Sequence, residues 1–336
     1  MKTVVFYEPN RFGVEDRAIP EIGESDALVK VHAAGICGTD IHMLHGEHFV
    51  KFPVTPGHEF SGEVTAVGSR VANLAVGDRV TIDPNIVDHS CYFCRRQEIH
   101  LCENLTAVGV NFDGGFAEYC RVPALQAYKI PDSIDLDQAA MAEPLSCCIH
   151  GVDRANIVPG SSVVILGAGS IGLIMVQLAR IAGARRIIVS EPDEKKRRLA
   201  GEFGADSVID PRVKDVLAEV QKITRVGADV VIESAGRLET AQLAVKLARR
   251  GGTVLQFGVV SPDKLVEISP YDIFYRELTI RGSFVNPFTH ARAIDLMESG
   301  QVDLASLVTH RFPLDEIGTA LKTAQGADAM KVLMVP

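Results

Sequence analysis

The sequence predicts an α/β protein with a doubly wound parallel sheet and a second, mainly β domain. Three observations carry that expectation: a change of rhythm along the chain, strand–helix alternation in its second half, and a glycine-rich turn placed between a strand and a helix. In the N-terminal part, short apolar runs at 4–7, 28–31, 64–67 and 80–82 are separated by Gly, Pro and Asp about every ten residues, a β pattern. From about residue 162 the β-branched runs 163–166, 187–189, 230–232 and 253–257 alternate with helix-length patterns at 171–182, 195–203 and 240–249. Such alternation builds βαβ units, and thus a parallel sheet covered on both faces. Beyond residue 284 there are helical patterns at 291–297 and 314–324 and an apolar run at 331–334, which pattern alone does not assign to either domain. No repeat or Pro-rich linker separates the halves, so an extensive interface with a cleft is expected.

Composition sets the bounds. At about 150 residues per domain, 336 residues make two domains, and 47% hydrophobic content supplies two cores. Against 34 Lys and Arg stand 43 Asp and Glu, a net charge of -9 that repels nucleic acid and anionic membranes. No run of about 18 apolar residues occurs and no targeting segment is apparent, so a soluble cytoplasmic protein acting on a small molecule is expected. Seven cysteines, three of them crowded at Cys91, Cys94 and Cys102, suit metal or thiol chemistry better than a disulfide framework.

The turn Gly167-Ala168-Gly169-Ser170-Ile171-Gly172 follows the run 163–166 and opens a helical pattern. Gly167 permits the tight turn, Gly169 lets a pyrophosphate approach the main chain, and Gly172 lets the helix pack on its strand. The helix N-terminus then holds the phosphates. Nineteen residues beyond Gly172, Glu191 ends the second strand, where a carboxylate can accept bonds from ribose hydroxyls and would repel a 2′-phosphate. NAD is therefore expected over NADP, although Lys195, Lys196, Arg197 and Arg198 follow closely. Lys196, Gly258 and Val259 are expected to join Ser170 and Ile171 around the nucleotide.

Two clusters read as metal sites. Cys37, in GICGTDIH, and His58 and Glu59, in GHEFSGE, offer a thiolate, an imidazole and a carboxylate from loops some twenty residues apart, a set that zinc accepts. Further on, Cys91, Cys94 and Cys102 have the spacing of a structural zinc knuckle, with Asp88, His89 or His100 as the fourth ligand.

These residues resemble the medium-chain zinc-dependent alcohol dehydrogenase superfamily, through GHEFSGEVTAVG at 57–68, VGDRV at 76–80, GGFAEY at 114–119, AEPLS at 142–146 and the turn at 167–172. The likeness spans almost the whole chain. Within the superfamily it resembles the polyol, sorbitol-type dehydrogenases most, then the threonine and butanediol dehydrogenases. The resemblance implies a GroES-like β-barrel-type catalytic domain over 1–146, a Rossmann NAD-binding domain over 147–283, and a return over 284–336 that completes the first. It also implies catalytic zinc on Cys37, His58 and Glu59 with Glu143 as fourth ligand or alternating with water. A proton relay through Thr39 and His42, and a structural zinc in which Asp88 replaces the first of four cysteines, are implied as well. Sorbitol-type enzymes often place Arg and Tyr where Val285 and Asn286 stand here. Relatives are tetramers or dimers, so a homo-oligomer is expected.

An alcohol must lose a proton before its carbon yields a hydride, and a zinc ion lowers the pKa of a bound oxygen from about 15.7 to near 7 for water. Thr39 and His42 would carry that proton away. His45 and His48 are near alternatives to His42, and only His42 has the relay spacing from Cys37.

Overall fold

Alternation in the segment Asp26–Gly35 sends Ala27, Val29 and Val31 into the core and Lys30 and His32 to solvent, as a half-buried strand requires. This strand is the hub of the first of two units. The computed structural model describes residues 1–47 and 50–336. The chain divides into Met1–Ser146 with Asn286–Pro336, and Cys147–Val285.

In the first unit the strands run in the order Val308–Pro313, Lys331–Val335, Asp26–Gly35, Glu59–Val67, Arg79–Ile82 and Ala127–Lys129, with Tyr119–Pro123 also paired to Asp26–Gly35. The register sets the chemistry. Gly35 faces Glu59 on one side and Leu333 on the other, which brings the turn carrying Cys37 beside His58 and Glu59. Phe6, Phe60, Ile82, Phe116 and Met43 pack with Leu321 and Met334 in one buried cluster. Each such side chain contributes about 1.5–3 kcal/mol when fully buried. A two-stranded pairing of Asn85–Ile86 with Thr106–Ala107 closes the base of the cysteine loop.

In the second unit all six strands are parallel, in the order Ser207–Ile209, Arg186–Ser190, Ser162–Leu166, Ala228–Glu233, Ala248–Gln256 and Thr279–Gly282. Val163, Val164, Ile165 and Leu166 are fully buried, as a strand covered on both faces must be. Leu166 lies level with Ser190 and Glu233, so the following residues, Gly167, Glu191 and Ser234, leave the sheet together. The helix Ser170–Ile181 starts directly after the turn.

Three elements differ from the sequence expectation. The helix expected over 240–249 is Leu238–Leu247, because Ala248 already pairs with Ala228 and begins a strand running to Gln256. The pattern at 314–324 breaks into a 3-10 turn, Leu314–Glu316, and the helix Ile317–Ala324. Val308–Pro313 is a strand that the sequence hid, since no residue in it is fully buried and Thr309, Arg311 and Pro313 are exposed.

Gly57, Gly109 and Gly114 meet backbone to backbone just before His58. A Cβ on Gly114 would overlap the Gly57 carbonyl and the Gly109 Cα. Gly114→Ala should therefore lower stability by about 1–3 kcal/mol, the usual cost of overpacking, read as the midpoint of urea unfolding. An unchanged midpoint would contradict this close approach.

Candidate metal centres and nucleotide turn

Cys37, just before the helix Gly38–His45, together with His58 and Glu59 offers three ligand atoms within 4.8 Å of one another. His58 and Glu59 are 7% and 1% exposed. The side chain behind them is Asp40, fully buried, whose carboxylate accepts the Cys37 N–H at 2.8 Å and the Gly57 N–H at 3.3 Å and lies 3.7 Å from His58 Nδ1. It thus ties both ligand loops together. Burial disfavours a charged His58, yet Cys37, Asp40 and Glu143 outweigh it and raise its pKa well above the ordinary value. A thiol and two carboxyl groups around one imidazole also favour a metal ion there.

Glu59 is held from its other side by Lys331, a residue that the sequence reading did not single out. The Lys331 ammonium, 4% exposed, donates to the Glu59 carboxylate and, at 3.2 Å, to the Ile36 carbonyl. Burial works against its charge, but Glu59, Cys37 and Glu143 raise its pKa above the usual value. Gly35 makes room, since a Cβ there would overlap the Glu59 carboxylate. Glu143, 7% exposed, is not among the atoms within 4.8 Å, although its charge acts on both His58 and Lys331.

Thr39 Oγ1 lies 3.7 Å from the Cys37 sulfur. His42 pairs through Nδ1 with Glu47 at 2.7 Å, and His45 with Asn10 at 3.1 Å. His48 lies outside the described residues.

A second group comprises Asp88, Cys91, Cys94 and Cys102, again with ligand atoms within 4.8 Å. Of the three residues that spacing left open as the fourth ligand, Asp88 is the one that joins the cysteines. Among the described residues these two groups are the clusters able to hold a metal ion, and none of the seven cysteines is in a disulfide. Sulfur with nitrogen and oxygen in one site, and three sulfurs with one oxygen in the other, match the donor preferences of zinc.

The glycine-rich turn is pre-formed in the second unit. Gly167 has φ +99°, which favours glycine, and a Cβ on Gly172 would overlap the Gly167 carbonyl. Nothing lies within 4 Å of a Cβ built on Gly169, so the main chain there is open to a ligand. Glu191, 8% exposed, accepts the Ala168 N–H at 2.8 Å and the Asp193 N–H at 2.9 Å, one on each oxygen. Arg197 is bonded to the Glu191 carbonyl at 2.8 Å and lies 3.2 Å from Asp210. Lys196 gives its N–H to the capping Asp193. Gly258 packs on Gly236 and the fully buried Glu233, and Val259 is exposed.

Known proteins share this arrangement. Residues 23–132 match the alcohol dehydrogenase GroES-like domain and 170–299 the zinc-binding dehydrogenase domain. The chain is 36% identical to D-arabinitol dehydrogenase 1 of Uromyces fabae, covering 99% of this chain and 97% of that protein. The chain belongs to the zinc-dependent medium-chain alcohol dehydrogenase superfamily. Other dehydrogenases of this superfamily are similar along nearly their full length. Sorbitol dehydrogenase of Bacillus subtilis is 33% identical over 100% of this chain and 97% of its own. L-threonine 3-dehydrogenase of Symbiobacterium thermophilum is 36% identical over 96% and 94%. A Sinorhizobium meliloti structure determined with NADP superposes with a TM-score of 0.96 at 46% identity, covering 100% and 99%.

In this dehydrogenase the Lys331–Glu59 pair has a measurable weight. Lys331→Met would leave a buried carboxylate unpaired and should cost the metal-free protein about 3–5 kcal/mol in urea unfolding. Glu59→Gln added to Lys331→Met should recover most of that loss. An additive double variant would contradict the pairing.

Proposed function

We propose that this dehydrogenase, with zinc and NAD, oxidises a secondary hydroxyl of a polyol or sugar alcohol to a ketone or ketose. The gathering of Cys37, His58 and Glu59 in a buried site carries the reading, and the relatives named for D-arabinitol and sorbitol support the substrate class. Zinc held there would supply acidification of a hydroxyl, and bound NAD would supply the hydride acceptor. Cys37, His58 and Glu59 hold the metal, with Glu143 as the further carboxylate. Thr39 and His42 take the substrate proton outward, with Glu47 fixing the His42 ring. Asp88, Cys91, Cys94 and Cys102 hold a second, structural zinc. The turn shaped by Gly167 and Gly172 receives the pyrophosphate at Gly169, and Glu191 the ribose hydroxyls, with Ser170, Ile171, Lys196, Gly258 and Val259 around them. Residues 1–146 with 284–336 form the catalytic domain and 147–283 the NAD domain.

Glu191 favours NAD, and Arg197 is occupied by protein oxygens. A second reading, oxidation of L-threonine or 2,3-butanediol, is favoured by the Symbiobacterium relative and by Val285 and Asn286 in place of a sorbitol-type Arg and Tyr. NADH absorbance with purified enzyme against C4 to C6 sugar alcohols, short diols and L-threonine should show the fastest turnover on a sugar alcohol with NAD. Faster turnover on L-threonine would select the second reading, and faster turnover with NADP would remove the cofactor preference. Cys37→Ala or His58→Ala should lose both catalytic zinc and activity, whereas His42→Ala should slow turnover about 10²-fold or more at unchanged zinc content.

The chain works as a cytoplasmic homo-oligomer, a tetramer or dimer. No helix among the described residues is long and apolar enough to cross a membrane. The edge strand Thr279–Gly282 leaves one side unpaired and exposes Ile280, and the preceding helix Pro270–Arg276 exposes Tyr271, Phe274 and Tyr275, surfaces that a second copy would cover. Light scattering should give a multiple of the 336-residue mass, and Phe274→Asp should shift it toward the monomer. A monomeric native protein would overturn this assembly.

A further inference from the structure

The loop that holds Asp88, Cys91, Cys94 and Cys102 contains a fifth polar side chain aimed at its ligands. Asn104 donates from Nδ2 to Asp88 Oδ2 at 2.6 Å, and its backbone N–H points at Cys102 Sγ at 3.4 Å. One residue therefore bridges the first and last members of the set. On the other carboxylate oxygen, Oδ1 accepts the N–H of Ser90 at 2.7 Å and of Cys91 at 2.9 Å.

An ionised carboxylate has about four lone-pair positions, two on each oxygen. Both positions on Oδ1 are filled by backbone amides and one on Oδ2 by Asn104, and the Cys94 thiol also hydrogen-bonds this carboxylate, so a metal bound by Cys94 and Asp88 would take the remaining Oδ2 position in place of the thiol proton. A cysteine at this place would need no such arrangement. Its one sulfur is aimed by a single torsion, whereas aspartate has a second torsion and two competing oxygens. Replacing a thiolate by a carboxylate keeps the ligand charge at four negative units and keeps a donor that zinc accepts, but it adds an orientational problem. Asn104 solves it.

We propose that Asn104 is the positioning residue that makes Asp88 a one-oxygen metal ligand, through Oδ2, and that the loop depends on it because the first ligand is a carboxylate. This rests on the reading of the loop as a zinc site. Outer partners of metal ligands typically set affinity by 10–100-fold, so Asn104→Ala should weaken zinc binding in the loop by about that factor while its backbone N–H to Cys102 persists. Asp88→Cys should make the loop indifferent to residue 104.

The test is zinc per chain, measured on the full-length enzyme by elemental analysis after equilibration with graded concentrations of a chelator. The expected native value before chelation is two. Asn104→Ala should surrender one zinc at a chelator concentration about 10–100-fold lower than the native enzyme does, and Asp88→Cys with Asn104→Ala should hold it as firmly as Asp88→Cys alone. If Asn104→Ala holds its loop zinc as firmly as the native enzyme, the positioning role is overturned. If the Asp88→Cys background loses as much from Asn104→Ala as the native background does, Asn104 supports the loop backbone rather than the carboxylate, and the proposal fails. A native enzyme with one zinc per chain, lost on Cys37→Ala, would instead remove the loop metal itself.

Discussion

A carboxylate that is 1% exposed cannot remain charged unless something replaces the water it has lost, and much of the first unit follows from that requirement at Glu59. Its counter-charge is Lys331, equally cut off from solvent, so each ion makes the other tolerable. Such a pair contributes little net stability against an apolar alternative. Its effect is positional: it fixes the Glu59 carboxylate beside Cys37 and His58. Gly35 and Asp40 belong to the same solution, one by giving up its side chain to leave space, the other by holding the two ligand loops at one distance.

The loop at 88–102 meets the same need differently. Asp88, Cys91 and Cys94 are half-buried and Cys102 is buried, and backbone amides rather than a buried counter-ion supply the stabilisation. Cys91 accepts from the Cys94 N–H at 3.5 Å and Cys102 from the Asp88 and Asn104 N–H groups. In the second unit Glu191 acts in a comparable way. By binding the Ala168 and Asp193 amides it stiffens the glycine-rich turn, so the turn has its shape before any ligand arrives.

Residues whose role depends on type and short spacing could be read from the sequence. Cys37, His58 and Glu59, the three cysteines of the loop and the glycines of the turn stand in short runs, and the fold gathers them or shapes them as local chemistry requires. Strand and helix periods in the second unit were visible for the same reason, because buried parallel strands are nearly all β-branched. Lys331 and Asp40 were not visible. A lysine opening KVLMV looks like the solvated end of a strand, and only the pairing of Lys331–Val335 beside Asp26–Gly35 turns it inward. Asp40 in CGTD looks like a helix-capping acid, which it is, and its second partner at Gly57 comes from another loop. The strand Val308–Pro313 was hidden because its stabilisation comes from the edge of a sheet rather than from burial of one face.

The two partners of the Glu59–Lys331 pair are 272 positions apart, and the continuous stretch Cys147–Val285 lies between them. On a ribosome Glu59 therefore emerges long before its counter-ion, and an entire parallel-sheet unit is translated in between. Nascent chains of this enzyme should carry a transient liability in their N-terminal third, where a holding chaperone would matter most. The closing of this ion pair is then a late event in biogenesis, timed by the arrival of a single lysine.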